Sequence, residues 1–267
     1  MHAGLVNGGG FLLARFAPML AQQSAILTII FIAGIVTALL GTLWKLMQSD
    51  IKRMLACSTM GQMGFMVAQC GLGLFPAAVA HLCWHGLFKA YLFLASGSAA
   101  QEKRLDLDYP PPLRHLFMAL VCGLGGAYLF TVTSDKNIFT GDTTLFLIAL
   151  AMIAGTQFAL PIIRGTSAIK LPLALTATTV TGALYGLSIH LIENALAPLG
   201  LSYAQPLNML HMIALIALAG GWLVILFARR PEKTMLPDWM LKIYVRALNA
   251  SQPHPKTITA HRNHYQF

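Results

Sequence analysis

Residues 25–47 read AILTIIFIAGIVTALLGTLWKLM, and the first twenty of them carry no charge. About 20 apolar residues in a helix span the ~30 Å hydrocarbon core of a bilayer. Backbone groups in lipid must be satisfied within the segment, which leaves the helix as the solution for a lone apolar stretch. This stretch therefore sets the class as all-α integral membrane protein. Working outward, the rest of the chain agrees. Of 267 residues, 57% are hydrophobic and 10% charged, against roughly 25% charged in a soluble domain.

Similar stretches predict eight spans, at 3–20, 25–47, 53–71, 74–99, 113–132, 143–163, 170–195 and 207–228. Turn or breaker sequences separate them: Gln22-Gln23-Ser24, Gly71–Gly73, Pro110-Pro111-Pro112 and Gly200–Pro206. Numbering the sides alternately, one side collects Lys45, Lys52, Arg53, Lys103, Arg104, Arg114, Arg164, Lys170, Arg229, Arg230, Lys233 and the later basic residues of the tail. The other side collects only Lys136. By the positive-inside rule the basic side is cytoplasmic, with the C-terminus there, in a cell inner membrane.

The division expected is a transmembrane domain over 1–230 and a cytoplasmic tail over 231–267. In the tail, Trp239, Met240, Ile243, Tyr244, Ala247 and Leu248 recur at helical spacing opposite Asp238, Lys242 and Arg246. Such a basic amphipathic helix suits the surface of the inner leaflet or a docking partner. The stretch from Pro253 to Phe267 is polar and expected to be loose. The start, Met1-His2-Ala3-Gly4, has no basic leader and reads like the middle of a helix in a longer protein.

The net charge of +9 does not signal nucleic acid. It sits in connections and tail, with no basic face interleaved with aromatics. Cys57, Cys70, Cys83 and Cys122 lie in apolar stretches without a C-x-x-C pair, which indicates neither a disulfide framework nor a zinc site.

Two basic residues fall inside spans. Arg15 is near the outer end of the first and can snorkel. Lys89 is in mid-span and follows His81 and His85 at steps of four, so the three share one helical face, about 6 Å apart per step. Ionisable groups in a span are expensive and usually face a protein interior or a wet cavity. Histidine gains and loses a proton near neutral pH, and desolvation brings a buried lysine toward that range. The stripe is therefore chemically suited to relay protons. The structural alternative has the imidazoles hydrogen-bonding neighbouring helices and Lys89 reaching a carbonyl. A metal is not expected, since no carboxylate accompanies the His-x-x-x-His pair, and no cofactor is.

In the third span Ser58, Thr59, Gly61, Gln62 and Gly64 permit close helix packing, with Gln62 able to bond across helices. Asp50 is a local partner for Lys52 or Arg53, or all three form an ordinary loop. His2 opens the first span ahead of Asn7 and Gly8-Gly9-Gly10, where the glycines are expected to loosen or break the helix. His190, Glu193 and His211 read as interfacial or satisfied core residues. There is no nucleophile triad, phosphate loop or carboxylate pair, so a free-standing enzyme is not expected.

The run Gln48-Ser49-Asp50-Ile51-Lys52-Arg53-Met54-Leu55-Ala56-Cys57-Ser58-Thr59-Met60-Gly61-Gln62-Met63-Gly64, continued by His81, His85, Lys89-Ala90 and Phe93-Leu94-Ala95-Ser96-Gly97-Ser98, resembles the antiporter-like membrane subunits. These occur in complex I (subunit L type), Mrp sodium/proton antiporters and formate hydrogenlyases. His2-Ala3-Gly4-Leu5-Val6-Asn7 and Gln69-Cys70-Gly71-Leu72-Gly73 bring the chain closest to the membrane subunits of DAB inorganic carbon transporters. The resemblance implies that His2, Lys52, His81, His85 and Lys89 belong to a proton channel, with Asp50, Ser58, Thr59 and Gln62 in packing or a secondary path. It also implies a soluble DabA-like partner resembling a zinc β-carbonic anhydrase on the cytoplasmic side. The family's channel has two inverted helix repeats, and here the first is mostly missing, so a separate chain supplying those helices is a further partner to expect. The later mid-membrane lysine of complex I subunits is absent.

Overall fold

The computed structural model describes residues 2–48, 50–100, 110–136, 141–163, 170–228 and 238–252. The apolar stretches become helices at the expected places: α1 (His2–Arg15), α2 (Ala17–Leu20), α3 (Ser24–Met47), α4 (Ile51–Gly71), α5 (Phe75–Leu94), α6 (Leu113–Thr133), α7 (Thr144–Ile163), α8 (Lys170–Leu196) and α9 (Met209–Ala228), then α10 (Asp238–Ala250). Six of them, α3 and α5 to α9, are long and apolar enough to cross a membrane. The other two segments of the eight expected differ for readable reasons. The first is broken, and α4 carries Lys52, Arg53, Gln62 and Gln69.

The break in the first segment is not where the glycines stand. Helix α1 runs unbroken through Gly8, Gly9 and Gly10, which corrects the expected interruption there. The kink comes at Phe16, with Pro18 just inside α2. Proline has no N–H for the preceding turn, and its ring clashes with the carbonyl four residues back. The glycines are tolerated because α1 lies on α4 and α5. Gly10 faces Met66 and Leu82, and Gly86 faces Asn7.

Helices α3 and α4 form the tightest seam. Gly34, Ala38 and Gly41 of α3 meet Gly61, Gly64 and Ala68 of α4. A Cβ added at Gly64 would stand 2.5 Å from the Ala38 nitrogen and 2.9 Å from the Gly34 oxygen. Small residues that let backbones touch drive helix association in lipid. A second seam joins α6 to α7 and α8, where Gly123 abuts Gly155 and Gly126 abuts Thr178 and Gly182. Between the two groups lies an apolar core containing Phe31, Leu74, Phe130, Phe146 and Ile189. Helix α9 is attached to α7 by the Trp222 indole N–H, which donates to Gln157 Oε1 at 2.7 Å.

Large apolar side chains also cover the outside. Leu5, Ile29, Leu87, Leu94, Phe117, Ile216 and Val224 are all mostly exposed. A soluble monomer rarely presents so much contiguous apolar surface, and a lipid-facing bundle must.

At the Lys136 end, three connections bond to one another. The Thr143 hydroxyl donates to the Leu72 carbonyl at 2.8 Å, the Thr143 N–H donates to the Gln205 carbonyl at 2.9 Å, and the Tyr203 N–H donates to the Gly73 carbonyl at 3.2 Å. Gly73 sits at φ +76°, where a side chain would also collide with the Tyr203 carbonyl. Lys136 pairs with Glu193 at 2.5 Å.

At the opposite end, Asp50 caps α4 by accepting from the Arg53 N–H at 2.8 Å. This makes it a helix cap, where the sequence left open an ion pair with Lys52 or Arg53. Asp50→Ala is expected to cost about 1 kcal/mol, read as a lower melting temperature in detergent. An unchanged value would remove the cap from the stability account. Helix α10 ends against this connection: Gln48 Nε2 donates to Ser251 Oγ at 2.7 Å, and Arg53 Nη1 donates to Gln252 Oε1 at 2.6 Å. Of the basic residues used for sidedness, Lys103, Arg104, Arg164, Arg229, Arg230 and Lys233 lie outside the described residues, as do residues 253–267 expected to be loose.

Candidate functional site

Helix α5 starts with Pro76 in its first turn and runs away from the Thr143 knot toward the basic end. Its 3.6-residue period stacks His81 and His85. Their ring centroids are 5.7 Å apart, with the planes inclined by 20°, close to the step expected for residues four apart. Phe65 of α4 meets His81 edge-on at 5.4 Å.

Both imidazoles open on a cavity of about 500 Å³ between the α4–α5 pair and helices α6, α7 and α8. Gln62, Phe65, Trp84 and Phe88 line it from one side, and Phe130, Ala151, Phe158, Thr178, Thr181 and Tyr185 from the other. Nε2 of His81 and Nε2 of His85 are buried and have no hydrogen-bond partner among the described residues. The alternative in which the histidines bond neighbouring helices therefore has no support at these two atoms. Buried polar atoms are paired in the large majority of cases, so two orphans on one cavity wall point to something taken up there.

Lys89 is 5% exposed and lies beyond the cavity wall. It stands one helical turn beyond His85 on the same face of α5. The order along the site is thus His81, His85, Lys89. Lys45, one of the charges of the basic side, lies in the last turn of α3.

The other expected site residues divide. Gln62 lines the cavity. Thr59 is buried and its hydroxyl donates to the Leu55 carbonyl at 2.9 Å, a role inside its own helix. Ser58 is half-buried on α4. Lys52 is exposed at the start of α4 and is not brought to the imidazoles. His2 begins α1. Asn7 beside Gly86 and Gly10 beside Leu82 run α1 antiparallel to α5, which puts the first turn of α1 level with the Lys89 turn. The side chain of His2 is outside the described residues, as is Ser49.

Gln69 and Tyr185 carried no expectation as site residues. Gln69 is fully buried, and its spacing of seven from Gln62 was the available signal. His211 is likewise buried. Its N–H donates to Asn208 Oδ1 at 2.9 Å, its Nδ1 accepts from the Asn208 N–H, and its ring meets Phe31 edge-on at 4.8 Å.

Over residues 1–121 the chain matches the family described as NADH:quinone oxidoreductase/Mrp antiporter, transmembrane. It is 51% identical over 118 residues to the probable inorganic carbon transporter subunit DabB1 of Halothiobacillus neapolitanus, a match covering 44% of this chain and 21% of that protein. It is 46% identical over 152 residues to the probable inorganic carbon transporter subunit DabB of Bacillus anthracis, covering 57% of this chain and 29% of the relative. Against the chloroplastic NAD(P)H-quinone oxidoreductase subunit 5 of Brachypodium distachyon it is 43% identical over 125 residues, covering 46% of this chain and 17% of the relative. The chain thus spans less than a third of the length of these relatives. His81, His85 and Lys89 all fall in the segment that matches the family.

Proposed function

We propose that this chain, whose first 121 residues carry the antiporter-like membrane segment, is a proton-conducting subunit of an energy-coupled inorganic carbon pump. The observation that supports this most is the stacked pair His81–His85, with both Nε2 atoms unpartnered on a cavity wall and Lys89 one turn further on. A proton crossing the site moves along the file of Lys89, His85 and His81. Each imidazole accepts at one nitrogen and releases from the other.

The matched relatives named as inorganic carbon transporter subunits suggest the process that the protons serve. The partner on the cytoplasmic side is a soluble, carbonic-anhydrase-like zinc subunit of the DabA type, where CO2 and water give bicarbonate and a proton. Zinc chemistry belongs to that partner. The remaining helices of the longer relatives come from a separate chain or from sequence outside this one. The setting is an inner membrane, with the basic end and α10 on the cytoplasmic side.

A host lacking carbonic anhydrase is expected to grow in air when it expresses this chain with all its partner subunits, and not when this chain is omitted. Equal growth without it would end the proposal. The likeness to the quinone oxidoreductase subunit favours a second reading, a proton-translocating subunit of an NADH-quinone oxidoreductase-like or Mrp complex. NADH-dependent quinone reduction by the purified assembly would favour it. A passive anchor for a soluble enzyme, held through the amphipathic tail, predicts assembly lost on deleting residues 237–248 with proton flux unchanged when the His81–His85–Lys89 stripe is altered.

A further inference from the structure

Among the described residues, the buried side-chain polar atoms without a hydrogen-bond partner are four: Nε2 of His81, Nε2 of His85, and both amide atoms of Gln69. Gln69 is wholly buried in the last turn of α4, directly under the Leu72–Thr143–Gln205 knot. Three residues on one helix pair thus hold every orphan, and they run from the middle of the bundle to the end opposite Lys45. The Tyr185 phenol of α8 interacts with the Gln69 side chain without reaching hydrogen-bond geometry to either amide atom. Tyr185 also lines the cavity on which the imidazoles open.

An amide needs up to two acceptors and two sets of donors. A buried polar site of this kind characteristically holds water bonded to two to four polar partners. We infer that Gln69 and Tyr185 form a water-binding site that extends the imidazole file from His81 across to α8 and on to the far end of the bundle. Gln69 does not change protonation there. It positions water, its amide NH2 donating and its carbonyl accepting, so that a proton leaving His81 has a hydrogen-bonded chain to follow. The Tyr185 hydroxyl, able both to donate and to accept, is the next member. Phe130, stacked on Tyr185 at 5.7 Å, holds the phenol ring in place.

The transport part of this inference rests on the proposed proton conduction, and the water site itself does not. Two measurements on the full assembly separate them. In the wild type, magnetic resonance with a labelled Gln69 side chain is expected to show magnetisation transfer from water to the amide. Its absence overturns the site whether or not protons move. In proteoliposomes, Gln69→Leu is expected to slow proton uptake about tenfold, with Gln69→Asn recovering part of the rate. Tyr185→Phe, which removes one oxygen and keeps the ring, is expected to slow it several-fold and serves if the leucine variant fails to fold. Uptake unchanged within twofold in the variants, together with a raised melting temperature for Gln69→Leu, would identify a dry amide and overturn the relay.

Discussion

A chain carrying Lys89→Met is expected to lose proton uptake by about two orders of magnitude in proteoliposomes of the complete assembly, the loss typical when a proton-transfer group is removed. Methionine keeps the length and apolar body of the side chain, so the packing of α5 is preserved. What disappears is the titratable group one helical turn beyond His85 on the shared face of α5. Lys89→Arg is an equally strict test. A guanidinium stays protonated at any working pH, so it retains the charge and still cannot release the proton. Both variants are expected to be inactive, and growth in air of the carbonic-anhydrase-deficient host should fail with either. If methionine at this position keeps uptake within twofold of wild type, the relay role of Lys89 is wrong. If arginine alone keeps it, the residue acts through its charge and not through proton exchange.

The largest effect on stability is expected from Gly64→Leu. The seam between α3 and α4 has no room at this position, where even a Cβ would stand 2.5 Å from one backbone atom and 2.9 Å from another. Overpacking a fitted core costs roughly 1–3 kcal/mol, and here the obstacle is backbone, which cannot rotate away. A loss of about 3 kcal/mol is expected, read as a melting temperature lowered by roughly 6–12 degrees or as failure to accumulate in the membrane. The matched control is Gly220→Leu on α9, where nothing lies within 4 Å of an added Cβ. It should leave both measurements unchanged. Equal effects at the two positions would mean that glycine serves the helices through something other than close approach.

Much of this was legible beforehand because membrane helices are read from runs of residues, and runs are local. The uncharged stretch 25–44 and its counterparts gave the helices to within a few residues. The step of four between His81, His85 and Lys89 gave a shared face. What was not legible depends on neighbours. The glycines at 8–10 looked like a break because glycine is flexible in isolation, yet α4 and α5 support the helix there, and the kink belongs to Pro18. Asp50 looked like a charge partner, since a cap is recognised from backbone geometry. Gln69 looked like one polar residue among several, until its burial left both amide atoms without a hydrogen-bond partner among the described residues.

The knot of Leu72, Thr143 and Gln205 has a consequence for biogenesis. Its three strands of hydrogen bonding come from segments more than sixty residues apart, and the last leaves the ribosome only when synthesis has passed α8. Until then α1 to α7 have the Leu72–Thr143 bond, their apolar core and the glycine seams, and the Lys136 end lacks the bonds to Tyr203 and Gln205. Closure of that end is therefore a late event on the way out of the translocon, and a nascent chain stalled before residue 200 should be cut readily there by a protease, whereas the finished one resists.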